Sequence, residues 1–151
     1  MPTSSLSFSK HARIKARRSA VQALYQWHMT KIPMTDVIAE FEDEQARIKK
    51  VDIDYFRELL QGTAKRSDEL DEQLAPLLDR KPNELDPVER AVLHIGLYEL
   101  LTHEELPWRV VINESVELAK MFGAEQSHKF INGVLDKAAH QIRIKEIADA
   151  S

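Results

Sequence analysis

Between residues 86 and 102 the chain reads as a helix with almost no polar face, and that segment limits the fold more than any other. Asp86-Pro87-Val88-Glu89 opens it. An acidic side chain stands ready to accept the first free amide hydrogens, proline takes the first helical position, and glutamate takes the third in capping-box spacing. Val88, Ala91, Val92, Ile95, Leu97, Tyr98, Leu100 and Leu101 then spread around the helical wheel instead of forming one stripe. Such a helix is stable in water only where other elements cover most of its sides. It predicts a bundle with this helix at the centre.

The flanking segments supply the cover. Pro107 starts a helix carrying Val111, Val116, Leu118, Ala119 and Phe122, and Gly123 stops it. Ser127 is a candidate cap for a last long helix with Phe130, Ile131, Val134, Leu135 and Ala138 on its apolar positions. Upstream, Ala16, Ala20, Ala23, Leu24 and Trp27 share one face of a helix over roughly 11–28. Thr35 can cap a short helix with Val37, Ile38 and Phe41, and Asp52 can cap one with Ile53, Phe56, Leu59, Leu60 and Thr63. Ser67 opens a segment lined by Leu70, Leu74, Leu77 and Leu78, with Pro76 weakening its last turn. Only four glycines occur, and no Asn-Gly or Asp-Gly pair marks a hairpin. The predicted fold is all-α. The polar stretch Asp79-Arg80-Lys81-Pro82-Asn83 divides it into helical halves over 11–80 and 81–145, preceded by a flexible basic arm, 1–10.

Composition narrows the function. At 151 residues, 43% hydrophobic and 30% charged, the chain can bury one core or two small ones and is not a disordered tail. It has no cysteine, which excludes disulfides, thiol catalysis and thiolate metal sites and is compatible with the cytoplasm. No apolar run approaches the ~20 residues of a membrane-spanning helix, so the expectation is a soluble protein with no membrane partner. His103-Glu104 lacks the second histidine of a zinc-protease helix, the six histidines show no ligand spacing, and the glycines are too isolated for a phosphate loop. The expectation is a non-enzyme with no metal and no cofactor.

Charge points to the head of the chain. Lys10, Arg13, Lys15, Arg17, Arg18 and Lys31 precede the first carboxylate, Asp36, so the first 35 residues carry +6. The other 15 of the 21 basic residues and all 25 acidic ones lie beyond, a net −10. A polyanion would dock at the head while the remaining surface repels it. A Ser-rich, basic, acid-free start also has the composition of an organelle transit peptide. Against that reading, the basic run continues into a helix whose Leu24 and Trp27 need packing partners. His11, Lys15, Arg18, Gln22 and Tyr25 gather on another face of that helix. Cations with an aromatic ring among them are what single-stranded RNA requires, for phosphates and for unstacked bases.

Three segments, RRSAVQALYQW (17–27), LPWRVVINESVELAKMFG (106–123) and SHKFINGVLDKAA (127–139), resemble the NusB family of bacterial transcription antitermination factors, with similarity from about residue 11 to 143. The resemblance implies two small three-helix bundles packed against each other. It implies recognition of boxA single-stranded RNA together with the small-subunit ribosomal protein NusE. That assembly would travel with RNA polymerase, NusA and NusG and suppress termination in ribosomal RNA operons.

Carried over residue by residue, the family's Arg-rich motif falls on Arg13, Lys15 and Arg17 and its tyrosine on Tyr25. Its Ser-His-Lys-Phe segment falls on Ser127, His128, Lys129 and Phe130. The implied RNA-binding set is Lys10, Arg13, Lys15, Arg17, Arg18, Gln22, Tyr25, Lys129 and Phe130. The implied NusE contacts are Glu89 and Arg90, although Glu89 also has the capping-box role. The residues alone leave Phe130 open to core packing and Tyr25 open to packing on Ile14 and Val21. Arg18 stands where relatives often carry a carboxylate and Gln126 where many carry aspartate, and both departures favour a polyanion. Two other readings stay open: an accessory RNA-binding domain of an RNA methyltransferase, and a structural helical module that forms a homodimer.

Overall fold

A computed structural model describes residues 2–45 and 51–150. Among these the chain is helical, with eight α-helices, two short 3-10 turns and no strand. It divides into two units between Lys65 and Arg66, ahead of the polar break at 79–83.

The first unit holds α1 (Pro2–Thr30), α2 (Met34–Gln45) and α3 (Ile53–Lys65), each packed on the other two. The backbone of α1 is helical from Pro2, so the segment read from sequence as an arm extends the helix. Proline is tolerated in the first turn, and no glycine or further proline interrupts the chain before Pro33. Helix α1 ends at Lys31, whose φ of 59° is the left-handed turn that closes many helices; its amide donates to the Trp27 carbonyl at 2.9 Å.

The face of α1 toward its partners is almost all alanine: Ala12, Ala16, Ala20 and Ala23, with Leu24, are buried. Small side chains at this spacing let α3 lie close, and Val37, Phe41, Phe56, Leu59 and Leu60 fill the remaining core. The rings of Phe41 and Phe56 meet at 6.1 Å. Asp52 caps α3 as expected, accepting from the Tyr55 amide at 3.0 Å. Thr35 does not cap α2, which begins one residue earlier at Met34. There the Pro33 carbonyl accepts the amides of Asp36 and Val37.

The second unit holds α4 (Ser67–Leu74), 3-10 turns at Ala75–Leu77 and Pro82–Glu84, then α5 (Pro87–Thr102), α6 (Trp108–Phe122), α7 (Ser127–Ile142) and α8 (Ile144–Ala150). Helix α5 is central, as its all-round apolar surface predicted. Every residue from Ala91 to Leu100 is buried, and α4, α6 and α7 surround it. Each large aliphatic there contributes on the order of 1.5–3 kcal/mol by leaving water. At Gly96 the three central helices meet so closely that a Cβ would lie 2.7 Å from Ser115 Oγ and 2.8 Å from a Leu135 methyl.

Polar groups fix the helix ends. Asp86 accepts from the amides of Val88 and Glu89 at 2.9 and 3.3 Å, completing the first half of the expected cap. The Glu89 carboxylate instead accepts the Ser127 hydroxyl at 2.7 Å. Ser127 is therefore the first residue of α7 and ties it to α5, where the sequence suggested a cap. Buried Arg143 closes the other end of α5. Its guanidinium donates to the carbonyls of Leu100, His103 and Leu106 at 2.8, 2.9 and 2.9 Å. Glu146 pairs with Arg143 and accepts the first amide of α6, from Trp108, at 2.9 Å.

Candidate nucleic-acid interface

Helix α1 splits the predicted cations between two faces. Arg13 and Arg17, one turn apart, both point at Tyr55 of α3, with guanidinium carbons 4.5 and 5.5 Å from the ring centre. Arg13 also lies 3.8 Å from Asp52 and is partly exposed. Arg17 is only 5% exposed and faces Tyr55, so it serves the fold. The spacing i, i+4 was visible in the sequence, but the tyrosine that receives both arginines was not.

The other face of α1 is open. Lys10, His11, Arg18 and Gln22 are exposed, Lys15 is partly exposed, and Tyr25 presents 41% of its surface. Lys15, Arg18, Gln22 and Tyr25 follow one another at intervals of three or four residues, so they run as a row along the helix. Tyr25 thus lies on the open side, and the packing alternative on Ile14 and Val21 does not enclose its ring. Within this row the structure brings cations and an aromatic ring onto one surface.

In the second unit Lys129 is exposed and Phe130 is half-buried near the start of α7. Phe130 belongs neither to the closed core nor wholly to solvent. Arg80 lies over its ring at 5.6 Å, and Asp79 holds the same guanidinium at 2.9 Å. That hydrogen bond keeps the Asp79 carboxyl below its ordinary pKa. Arg80 is a neighbour of the candidate site that sequence reasoning did not link to Phe130. It sat in a polar break 50 residues from Phe130, and no spacing rule links the two. Gln126, exposed, precedes α7 and makes no side-chain cap bond.

The two residues expected to meet NusE are both engaged within the second unit. Glu89 holds Ser127, and Arg90 donates to Asp71 at 2.6 Å. The other oxygen of Asp71 lies 2.7 Å from Nε2 of the fully buried His94. Burial pushes the Asp71 carboxyl up, but the hydrogen bonds from His94 and Arg90 outweigh it and hold the group below its ordinary value. Among the described residues no group of three or more His, Asp or Glu side chains could hold a metal ion. No helix of the described residues is long and apolar enough to cross a membrane.

The described residues form a small helical protein whose first helix carries an open row of cations with an aromatic ring, in an otherwise acidic chain, a surface suited to a polyanion. A sequence model of the NusB family matches residues 14–140. Relatives named transcription antitermination protein NusB include that of Serratia proteamaculans, 56% identical over 135 residues, covering 89% of this chain and 97% of the relative. The protein of Edwardsiella ictaluri is 53% identical over 132 residues, covering 87% and 94%. A solved structure of T. maritima NusB matches with a TM-score of 0.76 at 30% identity, covering 84% of this chain and 89% of that one. A structure of antitermination factors NusB and NusE in complex with double-stranded RNA matches with a TM-score of 0.74 at 28% identity, covering 82% and 92%. The chain belongs to the NusB family and has its all-α fold.

Proposed function

We propose that this chain is an RNA-binding adaptor of transcription antitermination, without catalysis, that recognises boxA RNA together with NusE and sustains transcription of ribosomal RNA operons. Family membership supports this reading over a methyltransferase accessory domain or a purely structural module. The observation that carries it to particular residues is the open row Lys15, Arg18, Gln22 and Tyr25 on α1. Lys10 is exposed before the row, Arg13 is partly exposed on the Tyr55 side of α1, and Lys129 with Phe130 supplies a second cation and ring. Lysine and arginine would follow phosphates while the rings stack on bases. NusE would dock near the start of α5, where Arg90 keeps an exposed edge beside Asp71. NusA, NusG and RNA polymerase complete the assembly, in the cytoplasm. A homodimer that covers the same surface would compete with RNA.

Fluorescence anisotropy tests the proposal with labelled single-stranded boxA RNA, a scrambled strand and a duplex, each with and without NusE. The expected result is tighter binding of boxA than of the scrambled strand, with a further gain from NusE. Four phosphate contacts would give log K a slope of about −3 against log salt. Equal binding of both strands, with no gain from NusE, would sink the reading.

A further inference from the structure

Beside Phe130 lies an open groove of about 400 Å³ between the 3-10 turn at 75–77 and α7. Leu77 and Leu78 form one wall, and Phe130 and Val134 form the other. Gly133, on α7 beside Phe130 and Val134, also lines the groove. A Cβ built on Gly133 would meet nothing within 4 Å, and its φ is not positive, so neither packing nor backbone geometry calls for glycine there. A glycine inside a helix destabilises it relative to alanine, so its presence has no structural return. It does leave the α7 side of the groove open.

The rim is charged. Lys129 and Lys137 are exposed, line the groove, and share a face of α7 with Gly133 midway between them at i+4. They stand about 12 Å apart along the axis, and their long stems can converge. Asp79 also lines the groove, but Arg80 engages its carboxylate, so the unengaged charge at the rim is positive.

We propose that this groove is a nucleotide subsite: it takes one base of the bound RNA against Leu77 and Leu78, next to Phe130, with neighbouring phosphates on Lys129 and Lys137. The proposal rests on the RNA-binding reading above and extends the RNA path along α7 beyond Phe130. The apolar walls suit the face of a base, and the two lysines suit the backbone on either side of it.

The test uses the full chain, single-stranded boxA RNA, and the variants Gly133→Ala, Gly133→Leu and Lys137→Gln, beside Arg18→Ala and Tyr25→Ala. Gly133→Ala and Gly133→Leu should keep helix content, and the alanine variant should raise the melting temperature by a few degrees. Gly133→Leu places a bulky side chain at the α7 side of the groove and should weaken RNA binding about tenfold, the loss of one stacked base. Lys137→Gln should flatten the salt slope by about 0.7. If Arg18→Ala and Tyr25→Ala weaken binding while Gly133→Leu and Lys137→Gln bind as the parent does, the groove proposal falls and the RNA reading stands. If none of the variants changes binding, the RNA reading itself fails. Should Gly133→Leu lower the melting temperature, the surface change Lys137→Gln decides.

Discussion

The buried guanidinium of Arg17 lies 5.5 Å from the centre of the Tyr55 ring, on the side of α1 turned away from the open cationic row. Adjacent arginines therefore do opposite work: Arg17 holds α1 to α3, and Arg18 faces solvent. Arg17→Ala should lower stability by about 1–3 kcal/mol, through lost stem packing and the lost cation–ring contact, measured by urea denaturation. Arg18→Ala should stay within about 0.5 kcal/mol of the parent while flattening the salt slope of RNA binding by about 0.7. A stable Arg17→Ala with a flattened slope would return that residue to the RNA surface.

Arg143 donates to carbonyls at the end of α5 and in the following turn. Arg143→Met should cost about 3 kcal/mol, because the buried Leu100 carbonyl and the part-buried carbonyls of His103 and Leu106 lose this donor. Arg143→Lys should recover only part of that, since one ammonium cannot reproduce a planar fork of donors. Thermal melting checks both, and a loss under about 1 kcal/mol for Arg143→Met would mean that solvent takes over the carbonyls.

The network of Asp71 with His94 and Arg90 makes stability depend on acid. Because the folded carboxyl titrates below its ordinary value, its contribution is present above the unfolded value of about 3.9 and is lost as pH falls from there through the folded value. The stability gap between the parent and Asp71→Asn should be widest near neutrality and shrink as pH drops below about 4. Urea midpoints at several pH values read this directly, and a gap that stays constant with pH would contradict it.

Gly96 and Gly133 should respond to alanine in opposite directions. At Gly96 the new methyl meets Ser115 and Leu135 and must force the central helices apart, costing about 1–3 kcal/mol. At Gly133 it meets nothing, and the helix should gain about 0.5–1 kcal/mol. Chemical denaturation of the two variants in parallel separates a glycine required by packing from one that packing does not require.

Local chemistry was legible in the sequence. The central α5, its Asp86 cap, the Asp52 cap, the alanine face of α1 and the open row from Lys15 to Tyr25 all follow from spacing within one element. Contacts between elements were not legible. Ser127 looks like a cap by type and position, and only the proximity of Glu89 turns its hydroxyl elsewhere. Arg17 looks like one more cation until Tyr55, 38 residues away in the chain, receives it. Arg80 and Phe130 are likewise joined only by the fold. The start of α1 differs from the expected arm for another reason: serine and basic residues suggest an arm, yet none of them breaks a helix.

The Arg143 clasp also orders events during synthesis. The first unit ends at Lys65, so it can begin to condense while the rest of the chain is still being made. The second cannot seal the end of α5 or the start of α6 until Arg143 and Glu146 have left the ribosome. During that interval α5, with its apolar surface on all sides, is the segment most in need of a chaperone.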